Sequence, residues 1–278
     1  MTDHHARANG AAPMDYHMHS RESCDCDATM AAMCAAALER GLREIAFTEH
    51  YDLNPGDQCP GYYQPARFFE QLEAARAEFA GQGLAIRAGV EIGEPHIYAE
   101  AHRAVLDRWP YDVVLGSLHW TGGEFSVFDR SYYASRGPAE AFGRYFAELV
   151  EMVQAGGFEI LAHVDVVKRV GYDVYARFDT HEWEDLYRPV WQACIEAGIA
   201  VEINTGGYRR RVDEAHPALD ALRWYREMGG ELLTLGSDAH RPEHVAHRFD
   251  EALALARAAG FTRLCTFEQR QISGWVAI

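Results

Sequence analysis

Positive charge is scarce in this sequence, and lysine is almost absent from it. The 278 residues include 26 lysines and arginines against 42 acidic residues, a formal net charge of −16 at pH 7. Lys168 is the only lysine. Because an acidic surface repels nucleic acid and anionic membranes, we expect neither as a partner. An anionic substrate would have to be captured by local positive charge, either from bound metal ions or from a few basic side chains.

Long apolar runs are missing as well. No stretch of eighteen apolar residues occurs, so no membrane-spanning helix is predicted. Residues 1–12 are polar and small, lack the apolar segment of a signal peptide, and are predicted to form a flexible N-terminal extension. Residues 13–278 show no break in composition and are predicted to form a single domain, which we expect in the cytoplasm.

The six cysteines follow no framework spacing. In a reduced compartment such single thiols are usually small core residues. Cys24 and Cys26 flank Asp25, but a zinc-thiolate site prefers two intervening residues and a second pair, which the sequence lacks. A glycine-rich phosphate loop is also absent after every predicted strand, so a nucleotide-binding fold is not expected.

Short apolar runs alternate with longer amphipathic stretches along the whole chain. The short runs predict buried strands at Met14–Met18, Glu44–Thr48, Ala85–Ile92, Tyr111–Gly116, Phe158–Ala162, Ala200–Asn204 and Glu231–Gly236. The longer stretches predict helices at Thr29–Arg40, Ala66–Ala80, Ile97–Trp109, Ala139–Gln154, Glu182–Ala197, Pro217–Met228 and Glu243–Ala259. This alternation predicts an α/β domain, either an open doubly wound sheet or a closed barrel.

Histidines and carboxylates stand near the ends of the predicted strands. These metal-capable residues are His17, His19, Glu49, His50, Glu91, His119, His163, Asp165, Glu202, Asn204, Asp238 and His240. In a parallel barrel the carboxyl ends of all strands open on one face, so we expect these side chains to converge there. Imidazole together with carboxylate suits Zn, Mn or Fe. The set is too large for one ion, so we predict two or three metal ions, and this favours the barrel.

The histidines outside strand ends are predicted to be solvated: His96, His102, His181, His216, His244 and His247.

In this order and composition, the strand-end residues resemble the motifs of the PHP (polymerase and histidinol phosphatase) superfamily. The matching motifs are His17-x-His19, Glu49-His50, Glu91, His119, His163 and Asp238-x-His240, spread over almost the whole chain. The segments Asp165–Arg169 and Glu202–Arg209 further resemble monofunctional histidinol-phosphatases. One departure is Gly206-Gly207, where those enzymes often carry Ser-Gly, and it bears on the substrate rather than on the metals. The resemblance implies a distorted TIM-like (β/α)7 barrel of the PHP type.

The resemblance also implies a site for three divalent transition-metal ions, Zn, Mn or Fe. One ion would take His17, His19, Glu91 and Asp238, and a second would share Glu91 and add His119 and His163. The third would take His50, His240 and a residue of the loop after His19. Many relatives use histidine at that loop position, where this chain has Asp25. We predict Asp25 as the ligand, with Asp27 and Cys24 as alternatives.

The activity implied is hydrolysis of a small phosphate ester, L-histidinol phosphate first, in histidine biosynthesis. In this hypothesis a hydroxide bridging the metal ions attacks phosphorus. Arg209 is the first candidate to bind the phosphate, followed by Lys168 and Arg169. The donor of the leaving-group proton stays unassigned, with Asp165 and a metal-bound water as the candidates. The acidic rim that would suit a cationic amino alcohol is expected to include Glu22, Glu94 or Asp52.

Two other functions stay open. One is a phosphoesterase of the same superfamily that acts on another small ester, a nucleotide or a phosphodiester. The other is a metal-binding scaffold without turnover, although such domains usually lose ligands and this chain keeps a standard ligand at all but one motif position.

Overall fold

The computed structural model describes residues 14–58 and 60–278. The predicted extension 1–12 lies outside the described residues. The strands are β1 (Met14–Met18), β2 (Glu44–Tyr51), β3 (Ala85–Gly93), β4 (Val113–Ser117), β5 (Trp120–Thr121), β6 (Phe125–Ser126), β7 (Ile160–Leu161), β8 (Ala200–Asn204), β9 (Leu233–Gly236), β10 (Arg263–Glu268) and β11 (Gln271–Ala277).

The helices are α1 (Met30–Glu39), α2 (Pro65–Glu78), α3 (Ala99–Leu106), α4 (Arg130–Ala134), α5 (Pro138–Ala155), α6 (Lys168–Tyr175), α7 (Glu184–Ala197), α8 (Leu219–Glu227) and α9 (Phe249–Ala258). Short 3-10 turns cover Thr180–Trp183, Gly206–Arg209 and Pro242–His244. No helix among the described residues is long and apolar enough to cross a membrane.

Seven strands form one parallel sheet in the order β1-β2-β3-β4-β7-β8-β9. The sheet curls until its edges meet, because the Asp238 amide donates to the His17 carbonyl at 2.7 Å and the His19 amide to the Ala239 carbonyl at 2.9 Å. The result is a nearly closed barrel with helices outside, so the predicted (β/α)7 barrel is confirmed. The buried apolar side chains form one continuous cluster. The domain bounds 13–278 stay a prediction.

The first helix illustrates how the sequence sets these elements. The Thr29 hydroxyl accepts the Ala32 amide at 3.1 Å and so satisfies one of the free donors at the start of α1. Met30, Met33, Cys34 and Ala37 face the core at helical spacing. The chain leaves the helix at Gly41, whose φ of 77° is the left-handed conformation that glycine adopts at low cost.

Several elements were not predicted from the sequence. The helices α4 and α6 and the hairpins β5–β6 and β10–β11 lie in segments with no predicted structure. β10–β11 closes the amino-terminal end of the barrel, where the Phe267 amide donates to the Tyr16 hydroxyl at 2.9 Å and the Arg270 amide to the Asp112 carbonyl at 2.8 Å. β7 is shorter than predicted, because the chain turns away at His163, which has a φ of 23°.

Candidate metal centre

The predicted ligands converge at the carboxyl ends of the barrel strands, and Glu91 lies at their centre. Glu91 is fully buried, near the end of β3. Five imidazole nitrogens surround its carboxylate: His163 Nε2 at 2.9 Å and His119 Nε2 at 3.4 Å from Oε1, and His50 Nδ1 at 3.1 Å, His17 Nε2 at 3.3 Å and His19 Nε2 at 3.7 Å from Oε2. Burial opposes ionisation of Glu91, yet the charges of His17 and His50 hold its pKa well below its usual range.

The first group of ligands lies where β1 meets β9. Oδ1 of Asp238 is 4.0 Å from Nε2 of His17 and 3.7 Å from Nε2 of His19. His17, His19 and Glu91 offer atoms within 4.8 Å of one another, close enough to bind one ion. The Nε2 atoms of His17 and His19 and Oε2 of Glu91 are buried without a hydrogen-bond partner among the described residues. Such atoms are costly to bury unpaired, and a cation would satisfy all of them.

The second group consists of Glu91, His119 and His163. Their ligand atoms also lie within 4.8 Å of one another, and all three side chains are buried. The two histidines face Oε1 of Glu91 and the first group faces Oε2, so Glu91 would be the shared ligand if two ions were held here. The ion assignment that the resemblance implied stays a prediction.

The third group includes Asp25, in the loop after His19. Oδ2 of Asp25 is 3.1 Å from Nε2 of His240 and 3.6 Å from Nε2 of His50. His19, His50 and His240 form a further cluster of candidate ligands. Asp25 is about one-third exposed, 31%. Cys24, an alternative ligand in the same loop, is disulfide-bonded and offers no thiolate.

A second layer of polar groups orients these imidazoles. Four of them are bonded at Nδ1, which turns Nε2 toward the centre: His17 to Glu202 Oε1 at 2.8 Å, His19 to the Ser23 hydroxyl at 3.1 Å, His119 to Asp52 Oδ1 at 3.0 Å and His240 to the Asp238 carbonyl at 3.1 Å. Fixing the outer nitrogen is how proteins commonly set the tautomer and direction of a metal-binding histidine. Together with the mixture of imidazole and carboxylate, it favours a transition metal.

The carboxylates expected at an acidic rim lie inside the protein instead. Asp52 is 9% exposed and pairs with His119. Glu94 is fully buried, and its Oε1 accepts the amides of His119 at 2.7 Å and Trp120 at 2.9 Å. Burial raises the pKa of Glu94 to about 8. Glu22 is 3% exposed and forms an ion pair with Arg67. The expectation of a solvent-facing rim built from these three residues is therefore wrong, because each forms contacts within the protein.

The basic residues suggested for phosphate binding occupy different environments. Lys168 is fully buried and bonds to Asp165 at 3.0 Å and to the Ala215 carbonyl at 2.7 Å. Arg209 donates to the backbone carbonyls of Ser237 at 2.9 Å and Asp238 at 2.7 Å. Lys168 is not free to meet a ligand in this arrangement, and Arg209 is anchored to the backbone through both terminal nitrogens. The role of Arg209 in phosphate binding stays a prediction.

Arg169 lies at the metal centre itself. Its Nη2 donates to Oδ2 of Asp238 at 2.8 Å, and its Nε donates to Nε2 of His216 at 3.1 Å. Nη1 of Arg169 has no acceptor among the described residues. The Arg210 amide donates to the Gly207 carbonyl at 3.0 Å, whereas the Arg211 side chain is 75% exposed and its Nη1 lies 3.3 Å from Oδ1 of Asp173.

Asp165 is fully buried and bonded on both oxygens. Oδ1 lies 2.7 Å from Nδ1 of His216, and Oδ2 accepts the Tyr187 hydroxyl at 2.6 Å. Burial opposes ionisation, but the nearby Lys168 charge and these hydrogen bonds hold the pKa of Asp165 below its usual range. An ionised carboxylate with both oxygens occupied gives no support to its predicted role as the leaving-group acid.

Two histidines expected to be solvated are buried. His216 is fully buried because the loop before α8 pairs with the end of β8, where the amide of each of Asn204 and His216 donates to the carbonyl of the other at 2.8 Å. His102 is 2% exposed and packs against the Tyr51 ring, with centroids 5.3 Å apart. Nothing in the local sequence pattern distinguishes these histidines from those on the surface.

A protein-family model matches most of the chain. Residues 15–206 match the PHP domain model. The chain belongs to the PHP domain family.

Curated relatives with histidinol-phosphatase names match most of the chain. It is 29% identical over 266 residues to a probable histidinol-phosphatase of Deinococcus radiodurans, covering 93% of this chain and 97% of the relative. It is 28% identical over 262 residues to a histidinol-phosphatase of Lactococcus lactis subsp. lactis, covering 93% and 96%.

Solved structures of similar proteins share the barrel. The histidinol phosphate phosphatase of L. lactis, complexed with zinc, L-histidinol and phosphate, superposes with a TM-score of 0.81 at 26% identity, covering 94% of this chain and 99% of that one. A putative histidinol phosphatase of Listeria monocytogenes, at 18% identity and a TM-score of 0.74, shares the fold over 86% of this chain and 99% of that one. The clusters of histidine and carboxylate in this PHP domain indicate that it binds divalent metal.

Proposed function

We propose that this protein is a metal-dependent phosphomonoesterase that hydrolyses L-histidinol phosphate to L-histidinol and phosphate. The observation that carries the proposal is the convergence of five imidazoles on the buried Glu91 carboxylate. A related barrel with zinc, L-histidinol and phosphate bound supports the choice of substrate. The cytoplasmic location stays a prediction.

The site has enough ligands for three divalent ions, and we assign them as the resemblance implied. His17, His19, Glu91 and Asp238 would hold the first, Glu91, His119 and His163 the second, and Asp25, His50 and His240 the third. Zn, Mn and Fe all suit these donors. Bound there, such ions lower the pKa of a coordinated water and neutralise charge on the phosphoryl oxygens.

The chain's own residues keep the inner part of this centre buried and ordered. His17, Glu91 and Glu202 are at most 1% exposed, so the ligand geometry is fixed before the substrate arrives. Arg169 is the best-placed side chain to bind the phosphoryl group, because two of its nitrogens are anchored and Nη1 is free to donate. In the transition state of phosphoryl transfer, negative charge is spread over the phosphoryl oxygens. A guanidinium beside the metal ligands stabilises that charge.

Phosphate release measured with a panel of substrates tests this proposal. The protein reconstituted with Mn²⁺ or Zn²⁺ would be assayed on L-histidinol phosphate, other small monoesters, a nucleotide and a phosphodiester. Turnover confined to L-histidinol phosphate is the expected result, and chelator-treated protein is the control. Turnover only on nucleotides or diesters would overturn the substrate and keep the hydrolase. A fully metal-loaded protein with no turnover on any of them would favour a scaffold.

A further inference from the structure

A chain of buried polar contacts leads from the metal ligand Asp238 into the protein. It runs from Oδ2 of Asp238 to Arg169 at 2.8 Å, from Arg169 to His216 at 3.1 Å, and from His216 to Asp165 at 2.7 Å. Asp165 and His216 are fully buried, and neither reaches a predicted metal ligand directly. The role of these two residues therefore has to be exerted through Arg169.

The chemistry of the three groups fixes the tautomer of His216. A guanidinium nitrogen can only donate, so Nε2 of His216 must accept from Arg169. The ring proton is then on Nδ1, which donates to the Asp165 carboxylate. This arrangement requires Asp165 to be an acceptor, and its other oxygen is occupied by the Tyr187 hydroxyl at 2.6 Å.

Two glycines make room for the same arrangement. A Cβ on Gly206 would lie 2.6 Å from Nη2 of Arg169 and 2.9 Å from Oδ2 of Asp238. A Cβ on Gly207 would lie 2.7 Å from Nε2 of His216 and 2.1 Å from the Glu214 carbonyl. All four of these distances are too short for a real Cβ, so the Gly206-Gly207 pair accounts for the close packing of Arg169 and His216.

We propose that His216, held by Asp165, is a positioning residue that aims Arg169 at the phosphoryl group of the substrate. The inference rests on the proposed function, because Arg169 matters here as the ligand of that group. With Nε fixed by His216 and Nη2 fixed by Asp238, the guanidinium is held in one orientation beside this predicted ligand, and Nη1 keeps its donors for the phosphoryl group. Holding the Arg169 guanidinium in one orientation reduces the conformational entropy that it loses when it binds phosphate.

Binding of inorganic phosphate to the Mn²⁺-loaded protein, measured by calorimetry, tests the role without relying on turnover. We expect His216→Phe, which keeps the ring volume and loses the acceptor, to weaken phosphate binding about tenfold or more. We expect His216→Gln, whose carbonyl can still accept from Arg169, to recover most of that loss. Tyr187→Phe is the matched control: it removes the bond to the other oxygen of Asp165 and should leave phosphate affinity within about threefold of wild type. Metal content and the thermal midpoint are recorded for each variant.

The outcomes separate this inference from the proposed function. Phosphate binding by wild type together with unchanged binding by fully metal-loaded His216→Phe would overturn the inference alone. Equal losses of phosphate affinity in His216→Phe and Tyr187→Phe would also overturn the inference, since a general packing defect would then explain both losses. Absence of phosphate binding by metal-loaded wild type would overturn both the inference and the proposed function.

A measurement on the wild-type protein covers the case in which His216→Phe fails to fold. Nitrogen-15 NMR of labelled histidine reports which ring nitrogen carries the proton. We expect His216 to be neutral with the proton on Nδ1. A proton on Nε2 would exclude the hydrogen bond from Arg169 and overturn the positioning role.

Discussion

Oε1 of Glu202 lies 2.8 Å from Nδ1 of His17, although the two residues are 185 positions apart in the chain. The carboxylate is buried and also accepts the His163 amide, through Oε2 at 2.7 Å. Glu202 thus orients a predicted ligand of the first ion and fixes the turn that carries a predicted ligand of the second. It contacts no ion itself in the assignment proposed above.

We therefore expect Glu202→Gln to weaken metal binding about 10- to 100-fold, because the amide cannot act as a charged acceptor for the His17 ring. The measurement is metal content after dialysis against graded concentrations of a chelator. Glu159→Gln is the matched control: Glu159 is a largely buried carboxylate that pairs with Arg270 at 2.8 Å next to the C-terminal hairpin. A Glu202→Gln protein that keeps its metal as tightly as the control would contradict the orienting role.

Asp25 is expected to hold one ion and no other. We expect Asp25→Ala to bind one equivalent of metal fewer than wild type, since the ligands around Glu91 do not depend on it. Elemental analysis of the purified proteins measures the stoichiometry. Asp27→Ala in the same loop serves as the control and should keep the wild-type count. Loss of all metal from the Asp25 variant, or of none, would refute the assignment.

The buried His102 should make stability depend on pH. Burial lowers the pKa of His102 to about 4, below the ordinary value of 6.5. Below pH 6.5 the unfolded chain binds a proton at His102 that the folded protein does not bind. The contribution of the neutral His102 to the free energy of unfolding is therefore complete above pH 6.5 and is lost as the pH falls toward 4. The loss is of the order of 3 kcal/mol over that window.

The test compares the free energy of unfolding of wild type and His102→Phe by urea denaturation. We expect the difference between the two proteins to shift in favour of the variant as the pH falls from 6.5 to 4, and to stay constant above pH 7. Release of metal at low pH affects both proteins alike and cancels in the difference. A difference that is constant over the whole range would show that His102 is protonated equally in both states.

Tyr16 ties the C-terminal hairpin to the barrel. Its hydroxyl accepts the Phe267 amide at 2.9 Å and donates to Glu44 at 2.5 Å. Tyr16→Phe leaves a buried amide unpaired, so we expect a loss of about 1–3 kcal/mol in the free energy of unfolding, with metal content unchanged. Tyr145→Phe is the control, because the buried Tyr145 hydroxyl has no hydrogen-bond partner in the described structure. Equal stability of the two variants would mean that the Tyr16 contact contributes nothing.

The barrel and the convergence of the candidate ligands were predictable because both follow from local sequence patterns. Buried parallel strands have short apolar runs, and candidate ligands such as His17, Glu91 and Asp238 lie where those runs end. The missed hairpin β10–β11 is different: its outward strand is mostly exposed, with Ile272 and Trp275 about 40% exposed, so its residues lack the signature of a buried strand.

The surroundings of the ligands could not be predicted because they depend on contacts between distant segments. Glu22 and Glu94 look like surface carboxylates in sequence, and only the folded chain reveals that one meets Arg67 and the other two backbone amides. His216 was expected in solvent, and its burial follows from pairing of its loop with β8. The roles of Lys168 and Arg169, neighbours in sequence, diverge because one points into the protein and the other toward Asp238.

Phosphate release from L-histidinol phosphate by Mn²⁺-reconstituted wild type and Glu91→Gln, measured side by side, tests the central claim most directly. Glu91 is the one carboxylate that the assignment shares between two ions, so its loss should remove a bridge that no other described residue replaces. We predict turnover by wild type and a loss of orders of magnitude in the variant, with the barrel still folded by circular dichroism. Near-normal turnover by Glu91→Gln would contradict the account.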